Sequence, residues 1–202
     1  MHYKRSVSIP RSSLELVGEV EVGKYYAFHL CDDYLYQFAH ILEINEKYFT
    51  AETIYVGPLY LLDHIYIALA SFIKKKEITS SAFRQAIDLF ENCKNEILSM
   101  EIEKKPYSGK RKVGHYYYFT NVPGNVITVG YMSSFDSRGT PLIQAIEVDT
   151  FENSIVSWRR GDYDKDSKVQ CFEIDPQTYE KAKKLHDMLE VSLITLMKSY
   201  LE

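Results

Sequence analysis

The sequence predicts an α+β protein made of two related antiparallel β-units, each a meander or partly open barrel followed by packed amphipathic helices. Three observations predict it. The stretch Val22-Gly23-Lys24-Tyr25-Tyr26-Ala27-Phe28 and the stretch Val113-Gly114-His115-Tyr116-Tyr117-Tyr118-Phe119 agree at five positions. Each is followed by a turn signal and a returning strand, with Asp32-Asp33 at the turn in the first half and Pro123-Gly124 in the second. Glu77-Ile78-Thr79 and Glu173-Ile174-Asp175 then each lead into apolar residues at helical spacing. From position 22 to 113 is 91 residues and from 78 to 174 is 96, which suits one unit copied with a short length change. A period near half the chain length marks a duplication rather than a solenoid. The expected division is a first unit at 1–103, a basic linker at 104–112 and a second unit at 113–202.

In chain order, Met1 to Pro10 is basic and Ser-rich and reads as a mobile tail, with no apolar stretch after it of the kind a signal peptide carries. From Ser12 to Val22, apolar Leu14, Leu16, Val20 and Val22 alternate with Glu15, Glu19 and Glu21, the period of a half-buried strand with Gly18 as a bulge. Lys24 to Leu30, Tyr34 to Ile44 and Lys47 to Val56 are three further strands, rich in the Tyr, Phe, Ile and Thr that suit a pleated surface. The short Asn45-Glu46 turn makes the last two antiparallel neighbours. Gly57-Pro58 ends this run. Leu59, Leu62, Ile65, Tyr66, Leu69, Phe72 and Ile73 then fall at helical spacing, and Lys74 to Lys76 sit where cations favour a helix C-terminus. A strict duplication would instead make strand of this stretch. A second helix follows, with the stripe Phe83, Ala86, Ile87, Phe90, Cys93, Ile97 and Met100 and with Thr79 or Ser80 as its cap.

Glu103 to Lys112 gathers Lys104, Lys105, Lys110, Arg111 and Lys112 around Pro106 and Gly109, the composition of a solvated connector that does not pack. In the second half, His115 to Thr120, Val126 to Ser134, Pro141 to Val148, Ser154 to Arg159 and Lys168 to Ile174 read as strands. Residues 122–125 suit a type II turn, because Gly124 accepts positive φ. Asp175 is placed to cap the last helix and Pro176 to begin it, with Tyr179, Ala182, Leu185, Leu189, Leu193, Leu196, Met197 and Tyr200 on one face.

Of 202 residues, 46% are hydrophobic and 26% charged, which excludes a disordered chain. A net charge of −4 disfavours nucleic acid, so a polyanion would need a local basic patch. Cys31, Cys93 and Cys171 are odd in number and far apart, which indicates neither a zinc knuckle nor a disulfide framework and suits free thiols in a reducing compartment. The most apolar window, Leu59 to Ile73, is interrupted by Asp63 and His64 and is shorter than a bilayer span, so the chain is expected in the cytoplasm without a membrane partner.

Chemistry-bearing patterns are few. Asp162, Asp164, Asp166 and Glu173 fit the ligand spacing of an EF-hand loop, but Ser167 stands where the sharp turn needs glycine and neither flank is helical. An acidic, solvated hairpin loop is the expectation there, with no metal. His29 and Cys31 lie two apart on a strand with no orienting group in view, and no GxSxG, Walker A, HExxH or GxGxxG occurs. No cofactor and no catalytic residue is therefore expected. The consecutive tyrosines of the repeated heptads must face opposite sides of a strand, so some are expected to reach solvent, where Tyr makes good interface material.

The stretch Val22 to Phe28 with Phe38 to Glu43, V-G-K-Y-Y-A-F-x(9)-F-A-H-I-L-E, resembles the Gly-aromatic strand pair that opens some immunity proteins of bacterial polymorphic-toxin systems. The likeness covers the opening strands of each half and not the rest of the chain. It implies a small cytosolic, non-enzymatic protein that binds and blocks a cognate toxin, presenting carboxylates and aromatics to a basic partner. Asp32, Asp33, Tyr34, Asp162, Tyr163, Asp164 and Asp166 are the expected partner-binding residues. The alternative is a small-ligand or nucleic-acid-binding module that uses exposed tyrosines and the basic linker.

Overall fold

The computed structural model describes residues 1–30, 35–57, 71–103, 105–121, 124–137, 139, 141–161 and 169–202. Among the described residues the protein is α+β, with eleven strands in antiparallel pairings and two α-helices. The chain divides into two units, Met1–Asn92 with Leu189–Glu202, and Cys93–Met188.

The first unit holds β1 (His2–Pro10), β2 (Tyr25–Leu30), β3 (Tyr36–Ile44), β4 (Tyr48–Val56) and β5 (Phe72–Ile78), in the spatial order β5-β2-β3-β4-β1. Helix α1 (Ser80–Leu98) begins here. The sheet is buried on both faces. Alternation sends Tyr26, Phe28, Ala39, Ile41 and Phe49 to one side, where Leu14 and Val20 cover them. It sends Tyr25 and Phe38 to the other, where the Tyr25 ring lies 5.4 Å from Phe83 of α1 and Phe38 meets Tyr200 edge-on at 6.0 Å. Two-sided burial is why β3 opens on four consecutive buried residues instead of a clean alternation.

The second unit holds β6 (Lys105–Pro106), β7 (Tyr116–Asn121), β8 (Val126–Phe135), β9 (Pro141–Asp149), β10 (Ser154–Gly161) and β11 (Val169–Ile174), in the order β10-β9-β8-β7-β11-β6, and helix α2 (Pro176–Leu201) starts within it. Tyr116, Tyr131 and Tyr179 of α2 form a cluster with centroids 4.9 to 6.2 Å apart. The opposite face buries Tyr117, Phe119, Met132 and Ile143. Neither strand order closes on itself, so each unit is an open sheet rather than a barrel.

The two units share fine detail. Gly23 at φ 82° and Gly114 at φ 87° each open the heptad strand in a conformation that glycine alone adopts without strain. The Gly23 N–H donates to the Ile41 carbonyl at 2.8 Å, and the Gly114 N–H to the Met132 carbonyl at 2.9 Å. The Tyr26 phenol accepts from the Glu21 N–H at 3.2 Å, and the Tyr117 phenol from the Lys112 N–H at 2.9 Å. Tyr25 pairs with Ile78 and Tyr116 with Ile174. Each third strand pairing carries a bulge at the matching place, between Ile41 and Glu43 and between Met132 and Ser134. Lys24 meets Glu77 at 2.8 Å where His115 meets Glu173 at 2.7 Å.

Both helices begin as the capping residues dictate. The Ala82 N–H donates to Thr79 Oγ1 at 3.2 Å, and the Thr178 N–H to Asp175 Oδ1 at 2.9 Å. The Thr178 hydroxyl also donates to Asp175 Oδ2 at 2.7 Å, which holds that carboxyl below its usual range. Asp175→Ala is expected to destabilise the chain by about 1 kcal/mol. Because the folded-state value is depressed, the cap's contribution is present above the unfolded carboxylate range and fades as pH falls through the folded value. Urea unfolding of both proteins at neutral and at acid pH checks this, since the gap between them must narrow in acid.

Several expectations are corrected. Of the expected tail Met1 to Pro10, His2–Pro10 is strand β1, with Tyr3 and Ile9 buried; its short apolar alternation is masked by the basic residues between. Ser12 to Val22 is not a strand. Arg11–Leu14 is a 3-10 turn, Gly18 donates back to Leu14 at 2.8 Å, and Leu16 and Val22 are 70% and 59% exposed, so only half of the apparent stripe is core. Lys74 to Lys76 belong to strand β5 and not to a helix end; of the preceding helical stretch, 58–70 lies outside the described residues. The linker packs. Lys105–Pro106 pairs with β11, the Tyr107 ring rests 5.4 Å from Tyr117, and Arg111 lies 5.3 Å over Phe119. Strands β10 and β11 are not neighbours in the second unit's order, β9, β8 and β7 standing between them; the expected acidic loop itself, 162–168, lies outside the described residues.

Candidate protein-interaction surface

The expected partner-binding residues Asp32, Asp33, Tyr34, Asp162, Tyr163, Asp164 and Asp166 all lie outside the described residues, as does Cys31. Their framing is described. Residues 31–34 connect antiparallel neighbours β2 and β3, with the Leu30 N–H donating to the Leu35 carbonyl at 3.0 Å. The EF-hand-like stretch has strands on both flanks, as its sequence led us to expect.

The repeated tyrosines are mostly core. Tyr26, Tyr117 and Tyr118 are buried and Tyr25 and Tyr116 half-buried, so they supply packing area more than an exposed surface. Burial pushes the Tyr117 phenol up to about 12. Cys93 is inert by the same cause. Its thiol donates to the Leu185 carbonyl at 3.5 Å and burial raises it to about 11, so little thiolate exists at neutral pH.

A polar chain that the sequence did not suggest runs through the helix-covered face of the first unit. The Tyr3 phenol donates to Glu52 Oε1, Glu52 Oε2 lies 3.6 Å from His40 Nδ1, and His40 stacks on Tyr25 at 4.2 Å. Burial, then the Glu52 carboxylate, push Tyr3 up to about 12. Cross-strand register brings these together, pairing Tyr25 with His40 and His40 with Glu52. No signal in the linear order announces it.

Concavity is found in the second unit. A groove of about 510 Å³ is lined by Glu96 of α1, by Ser99, Met100 and Glu101 just after it, by the capping Asp175, and by Thr178 and Lys181 of α2. A second of about 340 Å³, sharing Asp175, is lined by Glu103, Lys105, Glu173 and Ile174. The chain leaves α1 after Leu98, with the Ser99 N–H donating to Asn95 at 2.9 Å, and crosses to pair β6 with β11, which sets these carboxylates beside the capped start of α2. Glu96, Glu101, Glu103, Glu173 and Asp175 outnumber Lys105 and Lys181, giving a locally negative wall with Met100 and Ile174 as its apolar part. Lys105 stands 3.4 Å from Glu103.

Among the described residues no group of three or more His, Cys, Asp or Glu could hold a metal ion, and no helix is long and apolar enough to cross a membrane. Comparison with protein-family models, with curated proteins and with solved structures finds no match.

Proposed function

We propose that the chain is a non-catalytic cytoplasmic protein, built from one sheet-plus-helix module present twice, that works by binding another protein as an immunity-type inhibitor of a basic toxin domain. Matching glycines, phenol-capped turns, bulges and strand registers in the two units support the duplication. The binding role is carried by the carboxylate-walled groove around Asp175, whose sign suits a basic partner. The nucleic-acid alternative is weakened by the engagement of Tyr107 and Arg111 with their own sheet.

Capture from the native cell with the full chain, followed by titration of the purified captured protein against wild type and the Glu96→Lys/Glu101→Lys double variant, tests this. The expected result is a basic protein bound at least tenfold more weakly by the variant, with a flatter dependence on salt. Retrieval of no protein, or of one indifferent to the reversal, counts against the proposal. Salt-sensitive binding of an oligonucleotide by wild type would replace it with the alternative.

A further inference from the structure

Strand β5 stands at the end of the first unit's order, hydrogen-bonded to β2 and to no other described strand. Among the described residues the N–H and C=O groups on the other side of β5 have no strand partner, and an antiparallel edge of this kind can template a further strand. The charges along this edge are uneven. Lys75 turns to one face, donates to the Gly18 carbonyl at 2.9 Å and to the Glu19 carbonyl, and lies over the Tyr26 ring. Glu77 is held by Lys24. Lys74 and Lys76 turn to the opposite face, are exposed, and make no ion pair with a described residue. Ile73, skipped in the register between Phe72 and Lys74, is 42% exposed.

We infer that the outer edge of β5 is a docking strand for an extended, acidic segment of a partner protein, added to the first unit's sheet by backbone pairing. In such strand addition the main-chain bonds supply affinity and the side chains supply choice. Charge makes the choice here. Two copies of this edge laid together would set Lys74 and Lys76 of one against those of the other, and like charges opposite one another are unfavourable. An incoming strand with carboxylates at alternate positions satisfies both lysines. The edge thus rejects a second copy of its own chain and accepts an acidic strand, attraction and exclusion arising from the same two residues. The docking strand uses none of the groove residues around Asp175 and stands whether or not that groove binds a basic protein.

The test uses the full chain and two blocked seven-residue peptides, one alternating glutamate with valine, the other lysine with valine. The glutamate peptide is expected to bind wild type at least tenfold more tightly than the lysine peptide by fluorescence anisotropy, and at saturation to slow hydrogen exchange of the β5 amides at least tenfold. Lys74→Glu/Lys76→Glu is expected to invert the preference, while Glu96→Lys/Glu101→Lys leaves it unchanged. Equal binding of the two peptides, no binding, or protection of amides outside β5 would overturn the inference. So would self-association of wild type through the β5 amides, read by sedimentation with exchange.

Discussion

Phe28→Ala is expected to lower the free energy of unfolding by about 3–5 kcal/mol, a large part of the roughly 5–15 kcal/mol that a domain possesses. Phe28 is 0% exposed, stacks on Phe72 at 4.2 Å and tilts against Tyr26 at 5.9 Å, so truncation removes a ring from the sheet face that Leu14 and Val20 close. Its counterpart in the second heptad, Phe119, is 2% exposed, tilts against Tyr117 at 6.1 Å and carries Arg111 on its ring. If the units are copies, Phe119→Ala incurs a similar loss. Urea unfolding followed by circular dichroism checks both. A Phe119→Ala loss below about 1 kcal/mol would separate the two positions and weaken the duplication.

Alkali is expected to destabilise the chain between pH 10 and 12, in the window set by Tyr3 and Tyr117. Both phenols are raised from 10.0 to about 12, chiefly by burial. The unfolded chain ionises first, so stability is full below the unfolded value and is lost as pH rises through the folded one. After allowance for solvent screening, each phenol contributes on the order of 1 kcal/mol to this fall. Tyr117→Phe removes one of the two titrations, so its stability curve must be flatter over that window, although it also leaves the Lys112 N–H without its acceptor and is less stable by about 1 kcal/mol at neutral pH. A curve of unchanged slope would show that Tyr117 does not titrate with folding.

The strands Tyr25–Leu30, Tyr36–Ile44 and Tyr48–Val56 and their counterparts after position 115 were legible because aromatic and β-branched runs bounded by turn residues carry their own signal. So were both helices and their caps at Thr79 and Asp175, which depend on neighbours within one turn. Strands β1, β5 and β6 were not. Lysines on a strand at the end of a sheet look like any solvated run, and β1 takes its register from β4, some forty to fifty residues away. The Tyr3-Glu52-His40 chain was invisible for the same reason, its members being assembled by two separate strand pairings.

Residue order alone determined most of the strands, the starts of the two described helices and that two stretches of the chain follow one pattern, because propensity, capping and alternation act over a few residues. Which strand borders which, which faces are covered, and that the carboxylates of Glu96, Glu101, Glu173 and Asp175 come to line adjoining grooves were decided only in three dimensions. Pairing and burial are contacts between residues distant in sequence, and the free energy that selects them is shared among partners that no local window contains.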